Sequence, residues 1–210
     1  MNPWPIYVIT LRPEFWARLD EQARTIGLPL TRWEATDGKS IDMGAWKRDG
    51  LFEPSADPAE RAMTRGEVGC SHSHQRVWSH VVASGFEGAL ILEDDADLPP
   101  DLPQWLERAQ GHASEWDILY LGFTPWAGTV PVEHAPGFTI PELADGWNVM
   151  HAYLVTVAGA EALLKAALPI RTPLDVYVSK LTPSVVRPWQ TDKPVVGLCQ
   201  GTYSSTQGIV

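Results

Sequence analysis

The chain has 210 residues, 44% hydrophobic and 20% charged, and its 16 Lys and Arg against 26 Asp and Glu give a formal net charge of −10. That length suits one domain with a sizeable core, and so acidic a composition argues against a general nucleic-acid-binding surface. Two distant cysteines, Cys70 and Cys199, suggest neither a disulfide framework nor a zinc ribbon.

The start, Met1-Asn-Pro-Trp-Pro5, has no signal-peptide pattern, and no run reaches the ~18 apolar residues of a membrane helix. A soluble, cytoplasmic protein is the expectation. Ten Trp and eighteen Pro stand out. Aromatic platforms suit sugar sites, although most Trp residues in a small domain belong to the core.

Pro5 to Thr10 is a short apolar run fit for a buried strand. Pro13 then suits the first turn of a helix. Trp16, Leu19, Ala23 and Ile26 repeat at helical spacing, and Gly27 offers a stop. Leu30 to Ala35 reads as a second strand, closed by the turn Thr36-Asp37-Gly38. Strand, helix, strand is how a nucleotide-binding α/β half opens. From 39 to about 63 the chain is irregular, broken by Pro54 and Pro58, with a short helix over Met43 to Arg48.

Thr64-Arg-Gly-Glu67 is a capping box, opening a helix to about Ser84 with Gly85 as its stop. Cys70, His74, Val77 and Val81 share one stripe of it, so His74 faces inward. A satisfied core histidine and a ligand contact both fit that placement. Ser71 and Ser73 suit either backbone carbonyls or a phosphate.

Ala89 to Leu92 reads as a strand buried on both faces, and Glu93, Asp94, Asp95 and Asp97 follow at its C-terminal end. In open α/β sheets ligands bind there. Adjacent carboxylates repel, and packing them beside a buried strand adds a desolvation cost. A divalent cation relieves both, and oxygen-rich sites favour Mg²⁺, Ca²⁺ or Mn²⁺. A solvated acidic turn is the plainer alternative.

Pro99 and Pro100 start a further helix with Leu102, Trp105, Leu106 and Ala109 as its apolar face. Trp116 to Leu121 reads as a buried strand. Phe123 to Val149 reads as a long irregular loop bordering the site. His151 to Thr156 is strand-like, and Ala158 to Leu168 is an Ala/Leu-rich helix. Thr172 and Pro173 open another helix to about Leu181, with Asp175 in its first turn, where the helix dipole favours an acid. Val185-Val186 and Val195 to Cys199 read as two short strands, before a polar tail over Gln200 to Gly208.

These segments resemble the glycosyltransferase family 25 proteins, which include lipooligosaccharide and collagen galactosyltransferases. Four ordered blocks carry the resemblance: Ile6-Tyr-Val-Ile-Thr-Leu11 with Ala35-Thr-Asp-Gly38; Gly66-Glu-Val-Gly-Cys-Ser-His-Ser-His74; Ala89-Leu-Ile-Leu-Glu-Asp-Asp95; and Asp117-Ile-Leu-Tyr-Leu-Gly122. Ala152-Tyr-Leu-Val, Gly159-Ala-Glu-Ala-Leu-Leu164 and Pro173-Leu-Asp175 are weaker echoes. Thr10 stands where the family usually has Asn.

The resemblance implies a GT-A type α/β/α sandwich with a mostly parallel central sheet, a single domain over 1–210. Its 1–122 half would bind the nucleotide sugar and its 123–210 half the acceptor. It implies an inverting transfer of a sugar, galactose or a related hexose, from a UDP-sugar to a glycan or glycolipid hydroxyl, as in lipopolysaccharide synthesis. An acceptor at the inner membrane surface would make the protein peripheral. By the same resemblance Asp95 and Glu93 would contact a divalent metal, Mn²⁺ or Mg²⁺, with Glu93 also a candidate for the ribose. Thr10, Leu11, Asp37, Ser73, His74, Glu93 and Asp94 would line the donor pocket. Asp175 would be the base, with Asp145 as a rival, and Arg65, Arg76 or Lys180 would be candidates for phosphate.

Leaving UDP develops negative charge that a cation stabilises, and the attacking hydroxyl must lose a proton to a carboxylate or His. A metal-dependent phosphohydrolase would also use an acidic strand end. A glycosidase would use two carboxylates without needing a nucleotide-binding half. A catalytically inactive nucleotide-sugar-binding module is the third alternative.

Overall fold

The computed structural model of the chain describes residues 3–54, 61–123, 132–141, 150–181 and 184–199. Asp145 and the 200–208 tail lie outside the described residues.

Two of the apolar runs lie side by side toward one edge of the sheet. β1 (Ile6–Thr10) is buried throughout and pairs in parallel with β2 (Thr31–Glu34) on one side and β3 (Gly88–Glu93) on the other. Between β1 and β2 runs α1 (Pro13–Thr25), with Pro13 in its first turn and Gly27 just beyond it at φ 73°. β2 is the sheet edge and mostly exposed. A short turn of 3₁₀ helix over Gly38–Ser40 and α2 (Met43–Arg48) follow.

α3 (Arg65–Ala83) begins at the expected capping box. Thr64 Oγ1 accepts from the Glu67 N–H at 3.1 Å, and the Glu67 carboxylate accepts from the Thr64 N–H at 2.8 Å. Gly85 follows its end at φ 76°.

α4 is Leu102–Gly111, two residues shorter at its start than the Pro99-Pro100 signal predicts, with Pro103 rather than those prolines in its first turn. Its apolar face is the predicted one: Leu102, Trp105, Leu106 and Ala109 are all buried. β5 (Ile118–Tyr120) and β8 (Ala152–Thr156) follow the apolar runs of the sequence, whereas α5 (Val157–Leu164) stops four residues short of the expected Leu168. α6 (Leu174–Leu181) starts one residue later than the Thr172 signal places it, and the Pro173 carbonyl accepts from the Tyr177 N–H at 2.9 Å.

Three expectations change. The 123–149 stretch is not all loop: β6 (Val132–Ala135) and β7 (Phe138–Ile140) form a hairpin, with Gly137 at φ 80° where only glycine sits without strain. The strand near residue 185 is instead β9 (Pro188–Thr191). Val185 N–H bonds back to the Leu181 carbonyl at 2.7 Å, closing α6, so the Val pair caps a helix. Residues 195–199 contribute only the two-residue β10 (Gly197–Leu198), paired with β4 (Ala96–Asp97).

The α/β class holds, and the sheet is mixed. Its order is β2-β1-β3-β8-β5-β9-β7-β6. Pairings β1–β2, β1–β3 and β5–β9 are parallel, whereas β8 runs antiparallel between β3 and β5, and β7 runs antiparallel to both β9 and β6.

Helices cover both faces because strand residues alternate. Ile6, Val8, Leu90, Leu92 and Leu154 pack with α1 and α4 around Leu19, Trp105 and Trp116. Tyr7, Ile9, Ala89, Ile91 and Tyr153 pack with α3, α5 and α6 around Trp78, Leu163 and Val178. Each fully buried large side chain of this kind stabilises by about 1.5–3 kcal/mol.

Candidate functional site

The acidic residues end β3, beside the end of β1, and the chain supplies them with different partners. Asp94 is buried and ion-paired. Thr10 Oγ1 donates to its Oδ2 at 2.5 Å, Arg12 Nε donates to the same oxygen at 3.0 Å, and Arg12 Nη2 reaches Oδ1. Arg12 also lies 3.7 Å over the Phe15 ring. Arg18 Nη2 donates to the carbonyls of Asp94 and Ala96 at 2.9 and 2.7 Å, so the acidic turn is fixed by two arginines of the β1–α1 region.

Asp95 is the opposite case. Its Oδ1 is buried and has no hydrogen-bond partner among the described residues. Burial first, then the like charges of Glu93 and Asp94, push its carboxyl up to about 6. A half-buried carboxylate among other acids, with one oxygen lacking a partner among the described residues, is what a bound cation would satisfy.

Glu93 turns toward α3. Its Oε1 accepts from His74 Nε2 at 3.3 Å and from Cys70 Sγ at 3.7 Å. Burial alone would raise this carboxyl, but the His74 hydrogen bond and the charges of His74 and His151 outweigh it and hold it low.

His74 is fully buried, and its Nδ1 lies 2.7 Å from the Tyr153 hydroxyl. Trp78 Nε1, which can only donate, gives its hydrogen to the same Tyr153 oxygen at 2.9 Å. In the tautomer whose Nε2–H donates to the Glu93 carboxylate, Nδ1 takes the Tyr153 proton. His74 is both a satisfied core residue and a partner of the acidic strand end.

Asp175, in the first turn of α6, sits half-buried on this same side. Burial, then the charges of Glu67 and Glu93, raise its carboxyl, while its Oδ1 accepts from the Val176 N–H at 2.8 Å. Its charge in turn helps raise the half-buried Cys70 thiol, after desolvation and Glu93. Asp175, Glu67, Cys70, His74 and Glu93 thus form one electrostatic neighbourhood. It lies between α3, α6 and the end of β3.

The remaining predicted positions have local partners. Leu11 is 41% exposed at the end of β1. Asp37 is exposed, and its Oδ1 accepts from the Lys39 N–H at 2.9 Å. Ser73 is fully buried, accepting from the Thr36 N–H at 2.8 Å and donating to the Gly69 carbonyl at 2.6 Å. Gly69 is required there, since a Cβ would lie 2.6 Å from the Thr36 carbonyl oxygen. Arg76 lies over the Trp33 ring at 5.6 Å and donates to the Glu34 carbonyl, toward the β2 edge.

Sequence reasoning missed Arg12, Arg18, Cys70 and His151. Cys70 stands one helical turn before His74, a spacing that could have flagged the pair. His151 is buried beside Glu93, whose N–H donates to the His151 carbonyl at 2.8 Å. Its Nδ1 has no partner among the described residues, and burial holds the ring's pKa down. No helix among the described residues is long and apolar enough to cross a membrane.

Comparison with known proteins gives a consistent result. The model of the family described as "Glycosyltransferase family 25 (LPS biosynthesis protein)" matches residues 4–178. The human protein named "Inactive glycosyltransferase 25 family member 3" is 35% identical over 153 residues, covering 68% of this chain and 25% of that protein. A Drosophila melanogaster "Glycosyltransferase 25 family member" is 32% identical over 189 residues, 82% of this chain and 29% of its own length. "Procollagen galactosyltransferase 1" of Danio rerio is 28% identical over 149 residues, 68% of this chain and 24% of its own. The chain spans less than a third of the length of each of these curated relatives. With the family match running through the acidic strand end and on to α6, the chain belongs to glycosyltransferase family 25.

Proposed function

We propose that the chain binds a UDP-sugar at the C-terminal ends of β1 and β3 and transfers its sugar, with inversion, to an acceptor hydroxyl on a glycan or glycolipid. The observation that carries this reading is Asp95. Its buried oxygen, without a partner among the described residues, and its raised carboxyl at a strand end fit a cation-binding role. The layout accords with a GT-A type arrangement, in which 1–122 holds the donor and 123–210 the acceptor.

Asp95, with Glu93, would hold a divalent ion of the Mn²⁺ or Mg²⁺ kind, which when bound offsets the charge of the departing diphosphate. The chain's own residues do the rest. Arg12 and Thr10 hold Asp94, and Arg18 holds the carbonyls around it, so Asp95 is presented without further reorganisation. Asp175 takes the proton of the attacking hydroxyl. A carboxyl raised by burial is a stronger base than an ordinary one, which suits that step.

The test is calorimetric binding of UDP with and without Mn²⁺, on the native chain and on Asp95→Ala. Metal-dependent binding weakened at least tenfold by the substitution is the expected result. No UDP binding in either condition overturns the donor-site reading. Asp175→Asn should keep UDP binding and lower transfer by roughly 10²–10⁴-fold, the usual range for a lost general base.

A second reading has support of its own: a nucleotide-sugar-binding unit without turnover. Asp94 is already neutralised by Arg12, and the similar human protein carries the name "inactive". UDP binding by the native chain without any release of sugar from UDP-hexoses would favour it.

A further inference from the structure

We propose that Cys70, His74 and Glu93 form a second metal site, for a transition ion of the zinc class, which shares only Glu93 with the cation locus at Asp95. The three can each offer one ligand atom, and these atoms all lie within 4.8 Å of one another. Glu93 Oε1 is 3.7 Å from Cys70 Sγ and 3.3 Å from His74 Nε2. A tetrahedral zinc with bonds of about 2.3 Å to sulfur and about 2.1 Å to nitrogen and oxygen sets its ligand atoms about 3.4–3.6 Å apart. Two of the three pairs already stand near that spacing, and the Cys70–His74 pair, within 4.8 Å, closes by a side-chain adjustment on one face of α3.

The donor set selects the metal. A thiol, an imidazole and a carboxylate suit zinc and its neighbours, whereas Mg²⁺ and Ca²⁺ prefer oxygen alone. Cys70 and His74 are rigidly related, one turn apart on α3, itself anchored by its capping box. His74 also has the outer partner that metal-bound histidines usually have, the Tyr153 hydroxyl at 2.7 Å from Nδ1. Glu93 retains 32% side-chain exposure, which leaves a path for an ion to enter. Three protein ligands would leave a fourth position open, as in sites that bind or polarise a substrate.

The Cys70 thiol loses one proton to solvent and its sulfur binds as thiolate. The His74 proton moves from Nε2 to Nδ1, so His74 becomes the donor to the Tyr153 oxygen and the Tyr153 O–H no longer donates to Nδ1, a lost hydrogen bond that the metal bonds must exceed. Glu93 exchanges two hydrogen bonds for one metal bond. Binding therefore releases one proton and strengthens as pH rises.

This inference does not rest on the sugar-transfer reading, and its test separates the two. Chelator-treated full chain is titrated with Co²⁺, then competed with Zn²⁺, while absorption is followed. The expected result is a thiolate-to-cobalt charge-transfer band with intense tetrahedral d–d bands, both erased by zinc. Cys70→Ser should remove the charge-transfer band and weaken Zn²⁺ binding at least tenfold. Glu93→Gln should weaken binding while keeping the band, and Cys199→Ser and Asp95→Ala should leave the band intact. Zinc should raise the melting temperature of the native chain and not that of folded Cys70→Ser. No thiolate band in the native chain, or a band that survives Cys70→Ser, overturns the proposal and leaves the cluster as a hydrogen-bonded trio.

Discussion

Two aspartates at opposite ends of the same sheet show what the fold completes and what it leaves open. Asp117 precedes β5, at the N-terminal end of the strands that run parallel to β3. It is buried, and Arg187 donates to it three times: backbone N–H and Nε to Oδ2 at 2.8 and 3.0 Å, and Nη2 to Oδ1 at 2.8 Å. Burial alone would raise its carboxyl, but these bonds outweigh burial and hold it low. Asp95, just past the C-terminal end of β3, has an oxygen without a partner among the described residues and a carboxyl pushed up to about 6. Asp117 is a structural clasp, tying the start of β5 to the strand beside it. Asp95 is a cost to the folded chain, and a cost retained at a strand end points to a ligand.

The largest effect should come from breaking the clasp. Asp117→Ala leaves the Arg187 backbone N–H without its partner and should cost about 2–3 kcal/mol, read as a lower midpoint in urea. Its pH dependence has a definite sign. A carboxyl held low in the folded chain stabilises above its unfolded value, and that stabilisation is lost as pH falls through the folded one. The difference between native chain and variant should therefore shrink in acid.

Asp95→Asn should do the reverse. A carboxyl raised from 3.8 to about 6 makes the folded chain bind an extra proton between those values, so its ionisation costs stability as pH rises through that window. The variant should be more stable than the native chain at pH 7, by about 1–2 kcal/mol once solvent screening is allowed for, and equal to it near pH 4. Thermal melts of both at three pH values measure this directly. A variant less stable than the native chain at pH 7 would show that Asp95 has a structural partner after all.

This contrast could not be read from the sequence, although its setting could. The capping box at Thr64, the apolar face of α4 and the buried run of β3 are local patterns, and each forms where its residues indicate. What escaped is long-range or weakly patterned. β8 looks like any buried strand, and only its place between β3 and β5 makes it antiparallel. β9 begins with Pro188, and the β6–β7 hairpin is short and polar, so neither announces itself. At the site, the acidic cluster was legible as a cluster. Which of its members is satisfied depends on Arg12, 82 residues away from Asp94, and on Arg18. Likewise Cys70 and His74 gain their meaning only when β3 brings Glu93 against α3.

The smallest expected effect concerns Thr10, which bonds both partners of the Arg12–Asp94 pair. Thr10 Oγ1 donates to Asp94 at 2.5 Å and accepts from the Arg12 N–H at 2.9 Å, so it orients both partners of the ion pair. Thr10→Val keeps the shape of the buried side chain and removes both bonds. Arg12 still neutralises Asp94 directly, so the loss should be only about 1 kcal/mol, near that of one net hydrogen bond. The more telling readout is metal-dependent UDP binding. If Asp95 is presented by the fixed turn around Asp94, the substitution should weaken that binding several-fold while the melting midpoint falls little. An unchanged affinity would mean that Arg12 and Arg18 hold the turn without Thr10, and a midpoint drop as large as that of Asp117→Ala would make Thr10 a structural clasp of the same rank.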